Sequence, residues 1–270
     1  MDISEEPKHK IIAICFLCKN ESEELKRNIE DLIERFSKSN MRNNYIHADF
    51  FIIDESEIKE NSIYRNALWY TSINKSITSV DNFFYMCCEK KLPSEFNDYD
   101  YFWMIEEDVF VNSVDCIFEL QKKIIFEKAD LTTKAHSIVN EAAWLSIGES
   151  ELQRPWFKTM ACVTIFSKKM IQAVKDYAEK NKQLVNPELM LNTLAAQKGL
   201  RIYTPEELRA ILWQGQWTID DLMILKKGFV HPLKDISAHV RIRNGIEFLE
   251  SINYKPINKL PQFLNKESNE

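Results

Sequence analysis

The sequence predicts an α/β fold, a single three-layer α/β/α domain on a mostly parallel central sheet, and three observations carry the prediction. Continuous apolar runs of strand length recur, as over residues 11–17, too uniformly apolar for strands with one face in water. Amphipathic helical stretches follow these runs over short links, the order expected of parallel strands joined by crossovers. Polar clusters stand at the ends of three runs, and open parallel sheets gather ligands beyond the carboxyl ends of their strands.

In chain order, a polar tail over residues 1–9 precedes a domain over residues 10–245 and a polar extension over 246–270. The first strand, residues 11–17, leads at once into a helix with Leu25, Ile29, Leu32, Ile33 and Phe36 on one face, and Asn20 is the candidate cap with Glu23 three residues on. Residues 48–56 form a second buried strand ending in Asp54, Glu55 and Ser56. Residues 62–91 read as helical, with Ala67, Trp69, Ile73, Phe83, Phe84 and Met86 as core candidates. A central strand, residues 99–105, is followed by an amphipathic helix over 116–126 and a short strand over 129–134. Trp144 and Trp156 bracket a loop that either stacks on a sugar ring or belongs to the core, and the core is the favoured reading. A strand over 160–167 runs into a helix over 169–180, and Asn186, Pro187 and Glu188 open another that Gly199 ends. A short strand at 201–204, a polar stretch from Pro205 and the segment 228–234 follow, after which the chain is read as polar and only partly ordered.

Chemistry concentrates at Glu106, Glu107 and Asp108, where the central apolar run stops. Adjacent carboxylates repel, and burial raises the cost, so a triplet is tolerated where water, a cation or a cationic group lies against it. Glu106 and Asp108 are two residues apart, which in an extended chain aims both to one side, and hard cations such as Mg²⁺ or Mn²⁺ prefer oxygen ligands. The competing reading is a solvated acidic turn. Asn20, Asp54, Glu55 and the triplet are expected to share one rim of the sheet. Glu188 sits in the first turn of a helix, where an acid is ordinary because of the dipole. His231 precedes Pro232, which holds it extended.

Composition narrows the function. A 270-residue chain with 45% hydrophobic content can bury a substantial core. A net charge of −6 argues against a general nucleic-acid binder. No apolar run reaches membrane-spanning length and the start is acidic, so a cytoplasmic, soluble chain is expected. Six cysteines, several inside apolar runs, read as structural thiols in a reducing compartment, Cys15 and Cys18 included. With five glycines and no Gly-rich phosphate loop, the dinucleotide fingerprint and the Walker loop are excluded.

The order of landmarks, an apolar strand and helix, a strand ending in Ile53-Asp54-Glu55, one ending in Glu106-Glu107-Asp108, Glu188 near a helix start, then His231-Pro232-Leu233-Lys234, resembles the glycosyltransferases of the A-type nucleotide-sugar fold. The resemblance spans residues 10–235. It implies a metal held by Glu106, Asp108 and His231, a base at Glu188, and a nucleoside contact at Asp54, with Asn20, Glu55, Glu107 and Lys234 on the donor site. Two departures stand out: Glu at the first motif position, and Leu189 where an acid commonly follows the Glu188 position, which makes Asp220 or Asp221 the alternative base. The expected cofactor is Mn²⁺ or Mg²⁺. The expected donor is a nucleoside-diphosphate sugar, UDP-linked, and the acceptor a hydroxyl of a glycan or glycoprotein. Lys19, Lys234 and Arg241 lie near enough in sequence to assist the phosphates. The rivals are a metal-dependent nucleotidyltransferase and a non-catalytic carbohydrate-binding module.

Overall fold

The computed structural model describes residues 10–40, 46–54, 62–64, 79–90, 98–139, 152–213 and 215–256. Among these, the central sheet has six strands in the order β2-β1-β3-β8-β5-β9, with β1 Lys10–Cys18, β2 Ile46–Asp54, β3 Tyr101–Glu106, β5 Leu131–Thr132, β8 Val163–Ser167 and β9 Ile202–Tyr203. The β1–β2, β1–β3 and β5–β9 pairings are parallel, whereas β8 runs antiparallel to both its neighbours. That reversal brings the start of β8 to the same rim as the end of β3, as the Glu106 N–H to Cys162 carbonyl bond of 2.9 Å records.

Side chains alternate across a strand, so a strand apolar at every position must be covered on both faces. Along β1, Ala13, Cys15 and Leu17 enter one apolar layer and Ile12, Ile14, Phe16 and Cys18 the other. The first layer is closed by α2 (Ser79–Tyr85, continuing as a π-helical turn Met86–Lys90), α4 (Lys168–Asn181) and α5 (Pro187–Gln197). The second is closed by α1 (Glu23–Asn40) and α3 (Val114–Glu127). Phe36 of α1 stacks on Phe118 of α3 at 4.3 Å, and the buried Trp103 indole donates to Gln121 Oε1 at 2.7 Å. Trp156 lies in the first layer, donating to the Leu152 carbonyl, as the core reading had it.

Several expectations change. The N-cap of α1 is Ser22, whose hydroxyl accepts the Leu25 N–H at 3.1 Å, because the helix begins at Glu23 and Asn20 lies too early in the chain to cap it. Ile33 is 39% exposed, since Leu32 already fills that level of the buried face. β2 is an edge strand, mostly half-buried rather than buried, because nothing pairs with its outer side among the described residues. Ala67, Trp69, Ile73, Trp144 and Glu55 lie outside the described residues.

The C-terminal part is more ordered than its polarity suggests. β10 (Phe229–Val230) pairs antiparallel with β4 (Phe110–Val111), directly after the acidic triplet. Beyond it, α7 (His239–Ser251) runs across the expected boundary between domain and extension at 245/246. Its Arg243 is buried and gives its guanidinium to Asp31, Asn28 and the Val111 carbonyl, so one side chain ties α7, α1 and β4 together. No helix of the described residues is long and apolar enough to cross a membrane.

Candidate active site

The parallel strands set the rim. β1, β2 and β3 end side by side, and the Glu107 N–H donates to the Leu17 carbonyl at 2.9 Å, so the triplet turns directly over the end of β1. Next to it, Asp54 at the end of β2 accepts the Glu21 N–H at 2.8 Å, and the Glu107 carboxylate faces the Lys19 N–H at 3.5 Å. Asn20 is exposed on the same short loop. The expected rim of Asn20, Asp54 and the triplet is therefore one continuous edge.

The segment from β10 onward brings the imidazole in. The His231 N–H donates to the Ala210 carbonyl at 3.0 Å, the Leu212 N–H to the His231 carbonyl at 3.2 Å, and the Leu233 N–H to the Asp108 carbonyl at 2.8 Å. The His231–Pro232 peptide is cis. These bonds place His231 Nε2 3.3 Å from Asp108 Oδ1 and 3.8 Å from Glu106 Oε2, although more than a hundred residues separate them in sequence.

The ring's other nitrogen decides its chemistry. His231 Nδ1 lies 2.5 Å from the Leu212 carbonyl, which can only accept, so Nδ1 carries a proton and Nε2 faces the carboxylates. An Nε2 lone pair against two carboxylates is repulsive unless a proton or a cation stands between them. Burial pulls the His231 pKa down, but Asp108, the Leu212 carbonyl and Glu106 outweigh it and the net shift is upward. The same carboxylates that favour a proton on Nε2 would favour a metal ion in its place.

Asp108 is shared. Its second oxygen pairs with Lys234 Nζ, and although burial pushes its pKa up, His231 and Lys234 prevail and hold it at about 2. The donor atoms lying within 4.8 Å of one another belong to Glu106, Cys162 and His231 among the described residues. Asp108 is thus the ion-pair partner of Lys234 and His231, and the sulfur of Cys162 stands among the candidate ligands. Cys162 read as a structural thiol from its apolar run, and only the antiparallel course of β8 reveals it. Oxygen, nitrogen and sulfur donors converging on one point from three separate elements fit a divalent cation.

Glu188 opens α5 behind the Asn186 cap, whose side chain accepts the Glu188 N–H at 2.9 Å. Its carboxyl is half-buried, and burial together with the Glu106 charge raises its pKa to about 7, against the opposing pull of His231 and Lys158. That is the range of a general base or acid at neutral pH. Asp221, the alternative base, is instead a helix cap: Thr218 and Asp221 form a capping box on α6 (Ile219–Ile224), with the Asp221 carboxylate accepting both the Thr218 N–H and hydroxyl. Asp220 accepts the Tyr254 hydroxyl at 3.0 Å. Arg241 is exposed on α7. A polar cavity of about 870 Å³ lies elsewhere, between α1, α3 and α7, and is lined by acids and bases in near balance.

No family model and no curated protein matches the chain. Two solved structures resemble it in chain path. A glycosyltransferase involved in the glycosylation of the major capsid of PBCV-1 has 11% identity and a TM-score of 0.44, covering 88% of this chain and 99% of that one. Mouse xyloside xylosyltransferase 1, in its apo form, has 9% identity and a TM-score of 0.35, covering 86% and 93%. At these scores the likeness carries no argument about what this chain does.

Proposed function

We propose that the chain is a metal-dependent glycosyltransferase that moves a sugar from a nucleoside diphosphate, UDP in the first instance, to a hydroxyl of a glycan or glycoprotein. What supports this reading is one observation: Glu106, Asp108, His231 and Lys234 meet at the carboxyl rim of parallel strands, with a half-buried carboxyl near neutral pKa sensing the same charges. Glu106 and His231, with Asp108 beside them, are the residues to hold a divalent cation, Mn²⁺ or Mg²⁺. A bound cation supplies charge neutralisation for the departing diphosphate. Lys234 adds a second positive charge at the same edge, and Asp54 and Asn20 lie where the nucleoside is expected.

Glu188 takes the acceptor proton. With a pKa of about 7 its carboxylate is populated at neutral pH and still basic enough to receive a hydroxyl proton, which suits an inverting displacement. The decisive experiment screens nucleotide sugars for thermal stabilisation with and without Mn²⁺, then measures transfer. Turnover abolished by EDTA, restored by Mn²⁺ and lost in Asp108→Asn is the expected result. Undiminished transfer in metal-free buffer sinks the proposal, and retention of the donor's anomeric configuration, read by proton NMR, removes the base role from Glu188.

A further inference from the structure

We infer that Cys162 is a sulfur ligand of the rim cation, so that the site selects a borderline ion such as Zn²⁺ or Co²⁺ over Mg²⁺. The inference rests on the proposed metal site and specifies its chemistry. Cys162, Glu106 and His231 place Sγ, a carboxylate oxygen and a ring nitrogen within 4.8 Å of one another. Ligand atoms around a single zinc ion stand about 3–4 Å apart, given bonds of about 2.0–2.3 Å, so rotation of side chains closes the set without backbone movement.

The backbone is already fixed at all three corners. Glu106 ends β3 and donates its N–H to the Cys162 carbonyl, while His231 is held on both sides by Ala210 and Leu212. His231 Nδ1–H on the Leu212 carbonyl orients the ring for metal binding through Nε2, the outer hydrogen bond that metal-bound histidines ordinarily make. Asp108, the acid expected as the third ligand, gives one oxygen to Lys234, and the atoms that fall within 4.8 Å of one another are those of Glu106, His231 and the thiol.

Cys162 also differs from the other buried thiols. Cys15 is fully buried within an apolar layer, and burial alone raises its pKa. The Cys162 thiol instead stands at the rim with the Glu106 carboxylate and the His231 ring. When a cation arrives, the S–H bond gives up its proton to solvent as the sulfur–metal bond forms, with no change of oxidation state. Thiolate and imidazole favour Zn²⁺ and Co²⁺, whereas Mg²⁺ favours oxygen ligands and holds its water. A fourth position remains for water or a diphosphate oxygen, as in zinc sites that act on substrates.

The test is titration of the metal-free protein with Co²⁺ alone, followed by absorption. The wild type is expected to show a near-ultraviolet thiolate-to-cobalt band together with weaker visible bands, with Zn²⁺ displacing Co²⁺ and a large excess of Mg²⁺ failing to. In Cys162→Ser and Cys162→Ala the near-ultraviolet band is lost while the visible bands persist, and Cys15→Ser, remote from the rim, keeps both. Visible bands without the thiolate band in the wild type overturn the sulfur ligand and leave the metal site standing. No cobalt binding at all overturns both. A thiolate band that survives in both Cys162 variants assigns the sulfur to another cysteine and also overturns the inference.

Discussion

Glu188→Gln should stabilise the metal-free protein at neutral pH, and the size of the effect follows from the burial of its carboxyl. An ordinary glutamate in the unfolded chain releases its proton near pH 4.5, whereas burial and the nearby Glu106 charge hold the native group's proton until about pH 7. Between those values the native state binds more protons than the unfolded state, so wild-type stability falls as pH rises through the interval and the loss is complete above it. The gap of about 2.5 units, at about 1.4 kcal/mol each, gives a cost on the order of 3 kcal/mol. Glutamine keeps the shape and removes the titration. Urea unfolding of the two proteins from pH 4 to pH 8 should therefore show equal stability below pH 4.5 and a widening gap in favour of the variant, level from about pH 7.5. A bound divalent cation opposes the Glu106 charge, so the gap should shrink when metal is added. A difference that stays constant across the range, or a variant less stable at pH 8, refutes the reasoning. The same variant should lose turnover far more than donor affinity if Glu188 is the base, which separates kcat from KM.

Three further outcomes are expected. Arg243→Met removes the buried cation that Asp31 and Asn28 face, and should cost about 3–5 kcal/mol in urea unfolding because their oxygens are left without it; an unchanged midpoint contradicts the tie between α7 and α1. Gly228→Ala brings a Cβ to 2.8 Å from the Glu207 carbonyl oxygen, a backbone atom with little freedom, and should lower stability by about 1–3 kcal/mol, checked by thermal unfolding against wild type. Asp54→Ala should weaken UDP binding in calorimetric titration while leaving the protein folded, its hydrogen bond to the Glu21 N–H lying on an exposed loop; wild-type UDP affinity would remove Asp54 from the donor site.

The elements legible in the sequence were those whose cause is local. β1 declared itself because every position after Lys10 is apolar, and α5 because Asn186, Pro187 and Gly199 mark its ends by their own stereochemistry. The Glu106 to Asp108 triplet was visible for a similar reason, being costly wherever it falls. Less legible were features that depend on a distant partner. Lys234 was expected near phosphate, and its pairing with Asp108 could not be read from sequence because the Leu233 to Asp108 backbone bond sets it. Cys162 looked inert because its neighbours are apolar, and strand direction, which composition does not encode, sets it beside Glu106. Asp221 has a local cause of its own, since Thr218 three residues before it spells a capping box. Helix α7 was missed because its buried face rests on His239 and Arg243, polar residues made internal by partners elsewhere in the chain.

His239 links that helix to the rim. Its Nε2 meets the Leu233 carbonyl at 2.9 Å, and the Leu233 N–H holds the Asp108 carbonyl, so the acidic turn is braced by a residue made 131 positions later (239 − 108). During synthesis the amino-terminal strands emerge first and can pair among themselves. The acids at their ends then wait in water, mutually repelling, until the segment after β10 brings the His231 imidazole and the Lys234 ammonium to them. Assembly of the rim is thus an event of late translation, and a nascent chain stalled before β10 possesses the sheet without the charges that face its acids.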